Sequence, residues 1–282
     1  MKGLALERFV RGVTHVLVTH AHEDHIGGIA RQHVQRDMHI WSTPVTAELV
    51  QLKYPKARWQ HWHRVTVGTW HRVQRGIRIM AIPVLHCPGT VLWLIHEHGP
   101  GVGGVNGGYH VWAGDFRWCD MQPWVPTLRA ARPVLSVKYD AQFAHVKQRH
   151  WPCFEETYQA LRTQLTPGAV LIASSLGVEP YVLRLLHDGV YPGWTLDSSA
   201  SWPPWRAAQL RHLLPKERTG PGTLRLVPHT YRQRGRARHR VVRPAMTKQV
   251  LGLAARHEGE VLWFMPTHAN YWETQSFLQC IT

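Results

Sequence analysis

Short apolar runs alternate along the chain with polar and glycine-containing turns. Runs rich in β-branched and aromatic residues predict buried strands, at 13–19, 39–42, 65–67, 77–84, 90–96, 109–113, 169–173 and 260–265. Helical spacing of apolar residues predicts helices, at 29–35, 154–165 and 180–187. Because strands and helices alternate, the pattern predicts a layered α/β architecture.

The charge balance adds a prediction about partners. Lys and Arg number 33 against 18 Asp and Glu, which gives a formal net charge of +15. Such an excess favours a polyanion such as nucleic acid, or an anionic membrane surface. The four cysteines form no close pair, which is typical of a reducing compartment. No apolar run is long enough for a membrane span, and the first residues lack the apolar core of a secretory signal, so we expect a soluble intracellular protein.

The densest group of reactive side chains directly follows the first predicted strand. The sequence there is His-Ala-His-Glu-Asp-His, with three imidazoles and two carboxylates that are costly to bury without partners. Imidazole and carboxylate are zinc ligands. A tight turn at a strand end can direct His20 and His22 to one point, and Asp24 and His25 to a neighbouring point. The alternative interpretation of this segment alone is a solvated polar turn.

The spacing His-x-His-x-Asp-His resembles the signature of the metallo-β-lactamase superfamily. This resemblance implies an αββα sandwich with a one- or two-metal site at the sheet edges. It also implies a further His, Asp and His downstream, each just after a strand, and His86, Asp115 and His268 follow predicted strands in that order. The implied metal-site residues, whose donor atoms should converge, are His20, His22, Asp24, His25, His86, Asp115 and His268.

The resemblance also implies a role for each ligand. The first metal is assigned to His20, His22 and His86. The second metal is assigned to Asp24, His25 and His268. Asp115 bridges the two, and Asp24 and Asp115 are the predicted catalytic residues. The implied cofactor is zinc, as one or two ions, with magnesium or manganese as the alternative at the second site; bound zinc lowers the pKa of its water from about 15.7 to roughly 7.

Two motifs narrow the resemblance to one branch of the superfamily. The sequences His-Cys-Pro-Gly-Thr-Val at 86–91 and Gly-Asp-Phe-Arg at 114–117 closely resemble the DNA cross-link repair nucleases of the Artemis and Apollo type. Those enzymes carry a β-CASP insert. The segment at 174–179 resembles another family motif, which implies that Ser175 and Gly177 help to hold a terminal phosphate.

Two positions depart from the pattern of that branch. Ser136 stands where the family has an Asp, and Val178 stands where it has a Lys. Asp140 lies near the first of these positions but out of register. These departures support the alternative of a catalytically weakened DNA-binding scaffold.

The resemblance implies a domain organisation and an activity. The metallo-β-lactamase core should occupy 1–144 and 251–282, with a β-CASP-type α/β cap inserted at 145–250. The implied activity is metal-dependent phosphodiester hydrolysis, as a nuclear 5′-exonuclease that acts on single-stranded or duplex DNA ends in interstrand cross-link, double-strand break or telomere repair. An RNA-processing nuclease is the main alternative, because residues 19–28 are also similar to ribonuclease J; hydrolysis of a small thioester or lactam is another.

The densest basic segment lies at 232–243. Clustered arginines bind phosphates without reading sequence. The candidate substrate contacts in this segment are Arg234, Arg236, Arg238 and Arg240. A flexible solvated loop and a nuclear localisation signal are the alternatives for the same residues.

Overall fold

The chain forms two units. The computed structural model describes residues 3–29, 38–56, 61–99, 107–147, 149, 151–166, 169–173, 175–228, 241–245, 260–265 and 268–281. The first unit comprises Met1–His150 and Thr267–Thr282, and the second comprises Trp151–Pro266. That the second unit is a β-CASP cap stays a prediction. Within the described residues, no helix is both long and apolar enough to cross a membrane.

A four-stranded parallel sheet opens the first unit. Its strands, in sheet order, are β1 (Leu4–Leu6), β2 (His15–Leu17), β3 (His39–Ser42) and β4 (His61–Arg64). The strand predicted over 65–67 is wrong, because pairing with β3 ends at Arg64 and Val67 forms only an isolated bridge with Ala81. The edge strand β4 was not predicted, because its residues are polar and partly exposed and form no apolar run.

A five-stranded mixed sheet forms the second layer of this unit. Its strands, in sheet order, are β5 (Trp70–Gln74), β6 (Ile77–Pro83), β7 (Val91–Glu97), β8 (Gly108–Ala113) and β9 (Val134–Lys138). The first four are antiparallel, and β9 pairs with β8 in parallel. The predicted strands at 77–84, 90–96 and 109–113 are confirmed.

Alternating side chains of the second sheet bury two cores. On one face, Trp93 packs in a cluster with Leu17 of the parallel sheet. On the other face, Leu94 belongs to a cluster with Leu128 and Phe277. Those two residues come from helices α3 (Val125–Ala130) and α7 (Tyr271–Ile281); the unit also has α1 (Glu23–Ile26), α2 (Pro44–Lys53) and a 3-10 helix (Cys119–Trp124). The predicted α/β layering is therefore confirmed for this unit.

The second unit is built on a fully parallel sheet. Its strands, in sheet order, are β11 (Trp194–Leu196), β12 (Leu224–Val227), β10 (Val170–Ile172), β13 (Val241–Ala245) and β14 (Glu260–Phe264). Its helices are α4 (Phe154–Gln164), α5 (Glu179–His187) and α6 (Pro204–Leu213). All three helices contribute to one apolar cluster with the sheet, as parallel strands require helical crossovers. The predicted helices at 154–165 and 180–187 are confirmed, and the helix predicted at 29–35 lies almost wholly outside the described residues.

Histidines form a row across the parallel sheet. His15, His39 and His61 are register partners on β2, β3 and β4. The His39 ring stacks on His15 at 4.8 Å and on His61 at 4.7 Å between ring centroids. Burial, with the nearby His39 and His63, lowers the pKa of His15 from 6.5 to about 4. The folded protein therefore disfavours protonation of His15.

We expect thermal stability to fall as the pH drops from about 6.5 towards 4. In this range the unfolded chain binds a proton at His15 that the folded chain excludes, so acid favours unfolding. The variant His15→Gln should show a smaller loss of Tm between pH 7 and pH 5. The control is His187→Gln, whose side chain is 83% exposed. Equal pH dependence in both variants would contradict this assignment.

Candidate metal centre

Histidine and acidic side chains collect where several strands of the first unit end. His20 and His22 come just after β2, His86 after β6 and Asp115 after β8. Three of these four are buried, with relative exposures of 0% for His20, 5% for His86 and 7% for Asp115. The strand order thus brings together residues that lie almost a hundred positions apart in sequence.

These four residues form one compact donor group. Each offers one donor atom, and these atoms all lie within 4.8 Å of one another. His22 Nδ1 lies 3.0 Å from His20 Nε2 and 2.9 Å from His86 Nε2. Asp115 Oδ2 lies 3.6 Å from His20 Nε2 and 3.3 Å from His86 Nε2. Three imidazoles and one carboxylate are a donor set that zinc accepts.

Asp115 also faces a second set of histidines. Its Oδ1 lies 3.4 Å from His25 Nε2, and its Oδ2 lies 3.8 Å from His268 Nδ1. Donor atoms of Asp115, Asp140 and His268 also lie within 4.8 Å of one another. The Asp115 carboxylate therefore lies between two groups of imidazoles, which is the position a bridging ligand needs.

Asp24 is less closely associated with the site. Its side chain is 79% exposed, and its Oδ2 lies 3.5 Å from His25 Nε2. It belongs to none of the convergent donor groups among the described residues. Its role as a ligand and catalytic residue stays a prediction.

Glu7 is a site residue that the sequence argument missed. Its Oε1 accepts hydrogen bonds from the Thr19 backbone N–H, at 2.9 Å, and from the Thr19 hydroxyl. Its Oε2 lies 2.7 Å from His25 Nδ1. Because Thr19 donates its one hydroxyl hydrogen to Glu7, it can only accept from His20 Nδ1, 2.9 Å away. This chain directs the lone pair of His20 Nε2 towards the donor group.

Asp140 was placed out of register in the sequence, yet the structure puts it at the site. Its Oδ2 lies 2.7 Å from His268 Nδ1. Both Glu7 and Asp140 come shortly after strands, β1 and β9. A carboxylate just after a strand is the position that the family resemblance implied for Asp115, and the same criterion would have pointed to both residues if those strands had been predicted. Ser136, by contrast, lies 2.7 Å from His110 Nδ1 through its hydroxyl.

The histidines of the site differ in the direction of their pKa shifts. Burial holds the pKa of His20 well below 6.5, and the neighbouring His86 and His25 lower it further. Burial also lowers the pKa of His25, but hydrogen bonds to Asp115 and Glu7 outweigh burial and raise it to about 10. Burial raises the pKa of Asp115, but His25 and the nearby His86 and His268 outweigh it and lower the value to about 2. Asp115 is therefore ionised at neutral pH.

Part of the chain that contains this site matches a known protein family. Residues 3–118 match the family model described as beta-lactamase superfamily domain. These residues are therefore similar to a beta-lactamase superfamily domain, and the match covers less than half of the chain. The superfamily consists mainly of metal-dependent hydrolases, which typically use a divalent metal, often zinc. Of the seven predicted metal-site residues, only His268 lies outside the matched range.

Solved structures extend the likeness in fold beyond this domain. A protein of unknown function from Enterococcus faecalis V583 is 13% identical, with a TM-score of 0.66 over 95% of this chain and 73% of that one. A metallo-β-lactamase with a HARLDQ motif from Cronobacter sakazakii is 16% identical, with a TM-score of 0.33 over 45% of this chain and 58% of that one. The first comparison shows a shared fold. No curated protein matches the chain.

The donor set of the site fits a divalent metal. Metal ligands must be deprotonated, and the burial that holds the pKa of His20 low keeps its imidazole neutral. His25 shares its proton with two carboxylates, so binding through this ring must release that proton. Glu7 and Asp140 contact the predicted ligands His25 and His268 as outer-shell carboxylates do in metal sites.

Glycines in the two family-like motifs allow close packing around the site. A Cβ on Gly114 would lie 2.5 Å from the Thr19 hydroxyl oxygen, so this glycine leaves room for the Glu7–Thr19–His20 chain. Gly89 has a φ of +83°, and a Cβ there would lie 2.9 Å from the Thr46 backbone nitrogen. These positions explain why the turns after β6 and β8 carry glycine.

The last two residues of Gly-Asp-Phe-Arg hold the C-terminal helix. Arg117 is 2% exposed, and its Nε donates to Glu273 Oε2 at 2.9 Å. The Phe116 ring contacts the Phe277 ring at 4.9 Å between centroids. Both contacts anchor α7, which begins shortly after His268. This part of the motif therefore has a structural role.

The predicted substrate-binding residues differ in their exposure and in whether the structure describes them. Ser175 is exposed, whereas Gly177 is buried, has a φ of +117° and donates its N–H to Glu179 Oε2 at 2.7 Å. The Gly177 amide is therefore already engaged within the second unit. The candidate phosphate contacts Arg234, Arg236, Arg238 and Arg240 lie outside the described residues.

Replacing Glu7 with glutamine is expected to weaken metal binding. The amide would donate to His25 Nδ1, which forces the ring into the tautomer that carries its proton on Nε2, towards Asp115. Loss of an outer-shell carboxylate typically costs about 10–100-fold in metal affinity. Zinc titration of the metal-free protein measures the change. Glu97→Gln, which alters a carboxylate 3.0 Å from His110 Nε2, is the control, and equal affinities in the two variants would contradict the prediction.

Proposed function

We propose that this protein is a metal-dependent nuclease, a 5′-exonuclease of the cross-link repair branch that acts on DNA ends. The observation that carries the proposal is Asp115, whose carboxylate lies between two groups of histidines in a segment similar to a beta-lactamase superfamily domain. The net charge of +15 supports a polyanionic substrate. The cross-link repair branch is supported by the sequences at 86–91 and 114–117.

The proposed ligands divide into two sets that share Asp115. The first set is His20, His22 and His86. The second set is Asp24, His25 and His268. Divalent metal, when bound, would supply hydroxide at neutral pH and neutralise charge that develops on phosphate oxygens.

The protein's own residues prepare the site for this chemistry. The hydrogen bonds from Thr19 and His25 to Glu7 fix the orientation of two ligand rings before any metal or substrate arrives. Asp140 does the same for His268. Because these contacts hold the rings in place, the site does not need to reorganise during the reaction, which favours electrostatic stabilisation of a transition state.

The basic segment at 232–243 is proposed to bind the substrate backbone. Replacing Arg234, Arg236, Arg238 and Arg240 with alanine should weaken binding to all sequences about equally. Each lost phosphate contact should flatten the dependence of log affinity on log salt by roughly 0.7 for single strands and 0.9 for duplex. An unchanged salt slope would remove the segment from the substrate path. Unchanged affinity with altered distribution in cells would favour a nuclear localisation signal.

Cleavage assays with matched substrates test the proposed activity. The protein, loaded with zinc or manganese, is given the same single strand as DNA or RNA, with a 5′-phosphate or a 5′-hydroxyl. We expect products released from the 5′-phosphorylated DNA end, and no cleavage in excess EDTA. Preference for RNA would favour the RNA-processing alternative. Absence of cleavage on every substrate, with metal bound, would favour the DNA-binding scaffold.

A further inference from the structure

Two arginines stand side by side on the mixed sheet of the first unit. Arg72 on β5 is the register partner of Arg78 on β6, and Arg78 is the partner of His96 on β7. Like charges directly opposite each other on neighbouring strands destabilise a sheet. Both arginines are exposed residues. An anion bound between them would relieve this repulsion.

Carboxylates do not neutralise this pair. Within the described part of the chain, neither Arg72 nor Arg78 forms an ion pair with an acidic residue. The contacts of Arg78 are the Trp70 ring, 5.4 Å from the guanidinium carbon to the ring centroid, and His96 Nδ1, 3.3 Å from NH2. Neither contact removes its charge. The two positive charges are therefore available to a ligand.

The arginines line a pocket of suitable size. Its volume is about 440 Å³, and its lining includes Arg72, Gln74, Arg78, His96 and His98. Pockets for small molecules occupy roughly 300–1,000 Å³, so the space exceeds what a bare phosphate needs. The rings of His96 and His98 are inclined by only 21° to one another, with centroids 6.3 Å apart. His96 is buried, whereas His98 is exposed, so the flat ring of His98 offers a surface for stacking of a base.

This pocket is separate from the candidate metal centre. Arg78 lies near the start of β6, whereas His86 lies beyond the end of that strand at Pro83. At roughly 3.4 Å per residue, the five residues from Arg78 to Pro83 span about 17 Å. A ligand in the pocket would therefore not contact Asp115 or its histidines if it were as small as a mononucleotide.

We propose that this pocket binds a nucleotide, with its phosphate between Arg72 and Arg78 and its base near His96 and His98. Guanidinium groups match the geometry of phosphate oxygens and bind them in bidentate fashion. The nucleotide is either free in solution or one unit of a nucleic acid strand, since the recognised chemistry is the same. This binding does not require that the metal centre cleave anything.

Equilibrium binding in excess EDTA tests the proposal, because chelation removes any contribution of bound metal. The probes are adenosine monophosphate, adenosine, and a short single-stranded oligonucleotide. The pocket variant is Arg72→Gln with Arg78→Gln, and the control is Arg11→Gln with Arg129→Gln. The control removes the same charge from two exposed positions of the same unit. Circular dichroism checks that both variants fold.

We expect the pocket variant to bind adenosine monophosphate more than about tenfold more weakly than the control, since a hydrogen bond to a charged group contributes about tenfold or more. Adenosine should bind at least about tenfold more weakly than the monophosphate. Loss of oligonucleotide binding alone, with a flatter salt slope, would support the strand as the source. The proposal is overturned if the pocket variant and the control bind both phosphate-bearing probes equally, if adenosine and the monophosphate bind with equal measurable affinity, or if neither phosphate-bearing probe binds. Cleavage by the metal-loaded variants, measured separately, reports on the proposed nuclease and not on this pocket.

Discussion

The variant Asp115→Asn is expected to lose metal-dependent hydrolysis by more than about 100-fold while keeping its fold. Removal of an outer-shell partner already costs about 10–100-fold in metal affinity or activity, and Asp115 is proposed as a direct ligand of both metals. An amide lacks the negative charge that two cations would share. The substitution would also remove the negative charge that lies 3.4 Å from His25 Nε2 and 3.3 Å from His86 Nε2.

Metal content and cleavage rate should be measured together on this variant. Glu48→Gln is the control, because it removes one carboxylate from the same unit, where Glu48 lies 3.5 Å from Arg64 on the surface. We expect the control to keep its metal and its rate. An Asp115→Asn protein that binds two metal equivalents and cleaves at the wild-type rate would show that Asp115 is not the bridging ligand.

The largest expected effect on stability is at a buried ion pair in the second unit. Glu179 and Arg206 are both fully buried, and Glu179 Oε1 lies 2.5 Å from Arg206 NH2. Arg206 also donates from Nε to the Ala173 carbonyl at 2.9 Å and from NH2 to the Ser175 carbonyl at 2.5 Å. The pair thereby holds the turn that carries Ser175 and Gly177.

Replacing Arg206 with methionine should lower the free energy of unfolding by about 3–5 kcal/mol, because Glu179 is left charged and unpaired in the interior. Urea denaturation measures the loss. Arg184→Met is the matched control, since this side chain is 44% exposed and a surface ion pair such as that with Asp188 contributes little to stability. The double variant Glu179→Leu with Arg206→Met should recover part of the loss. If Arg206→Met cost no more than Arg184→Met, the ion pair would not be what holds this turn.

Sequence reasoning worked best where structure depends on local pattern. The strands around Trp93 and Val111 were predicted correctly because an apolar run of that length is stable only when it is buried. The histidines at 20, 22 and 25 were predicted as ligands from their close spacing after a strand, whereas His86, Asp115 and His268 were predicted through the resemblance to the metallo-β-lactamase superfamily. The edge strand β4, the sequence of which is His-Trp-His-Arg, was missed because it has no apolar run.

By itself, the sequence determined the main strands and the α/β class, since both follow from residue type and local spacing, and its resemblance to a known superfamily supplied the downstream candidate ligands of the first unit. Only the tertiary structure decided which partners those residues meet. Glu7 reaches Thr19 across 12 positions, Asp140 reaches His268 across 128, and Arg117 reaches Glu273 across 156. Such pairs depend on which strand and helix ends lie beside one another. The sequence gives the charge and hydrogen-bonding capacity of each side chain, but it does not give the distance between two side chains. The order of strands in the sheets sets that distance, and it is fixed by the packing of the whole unit.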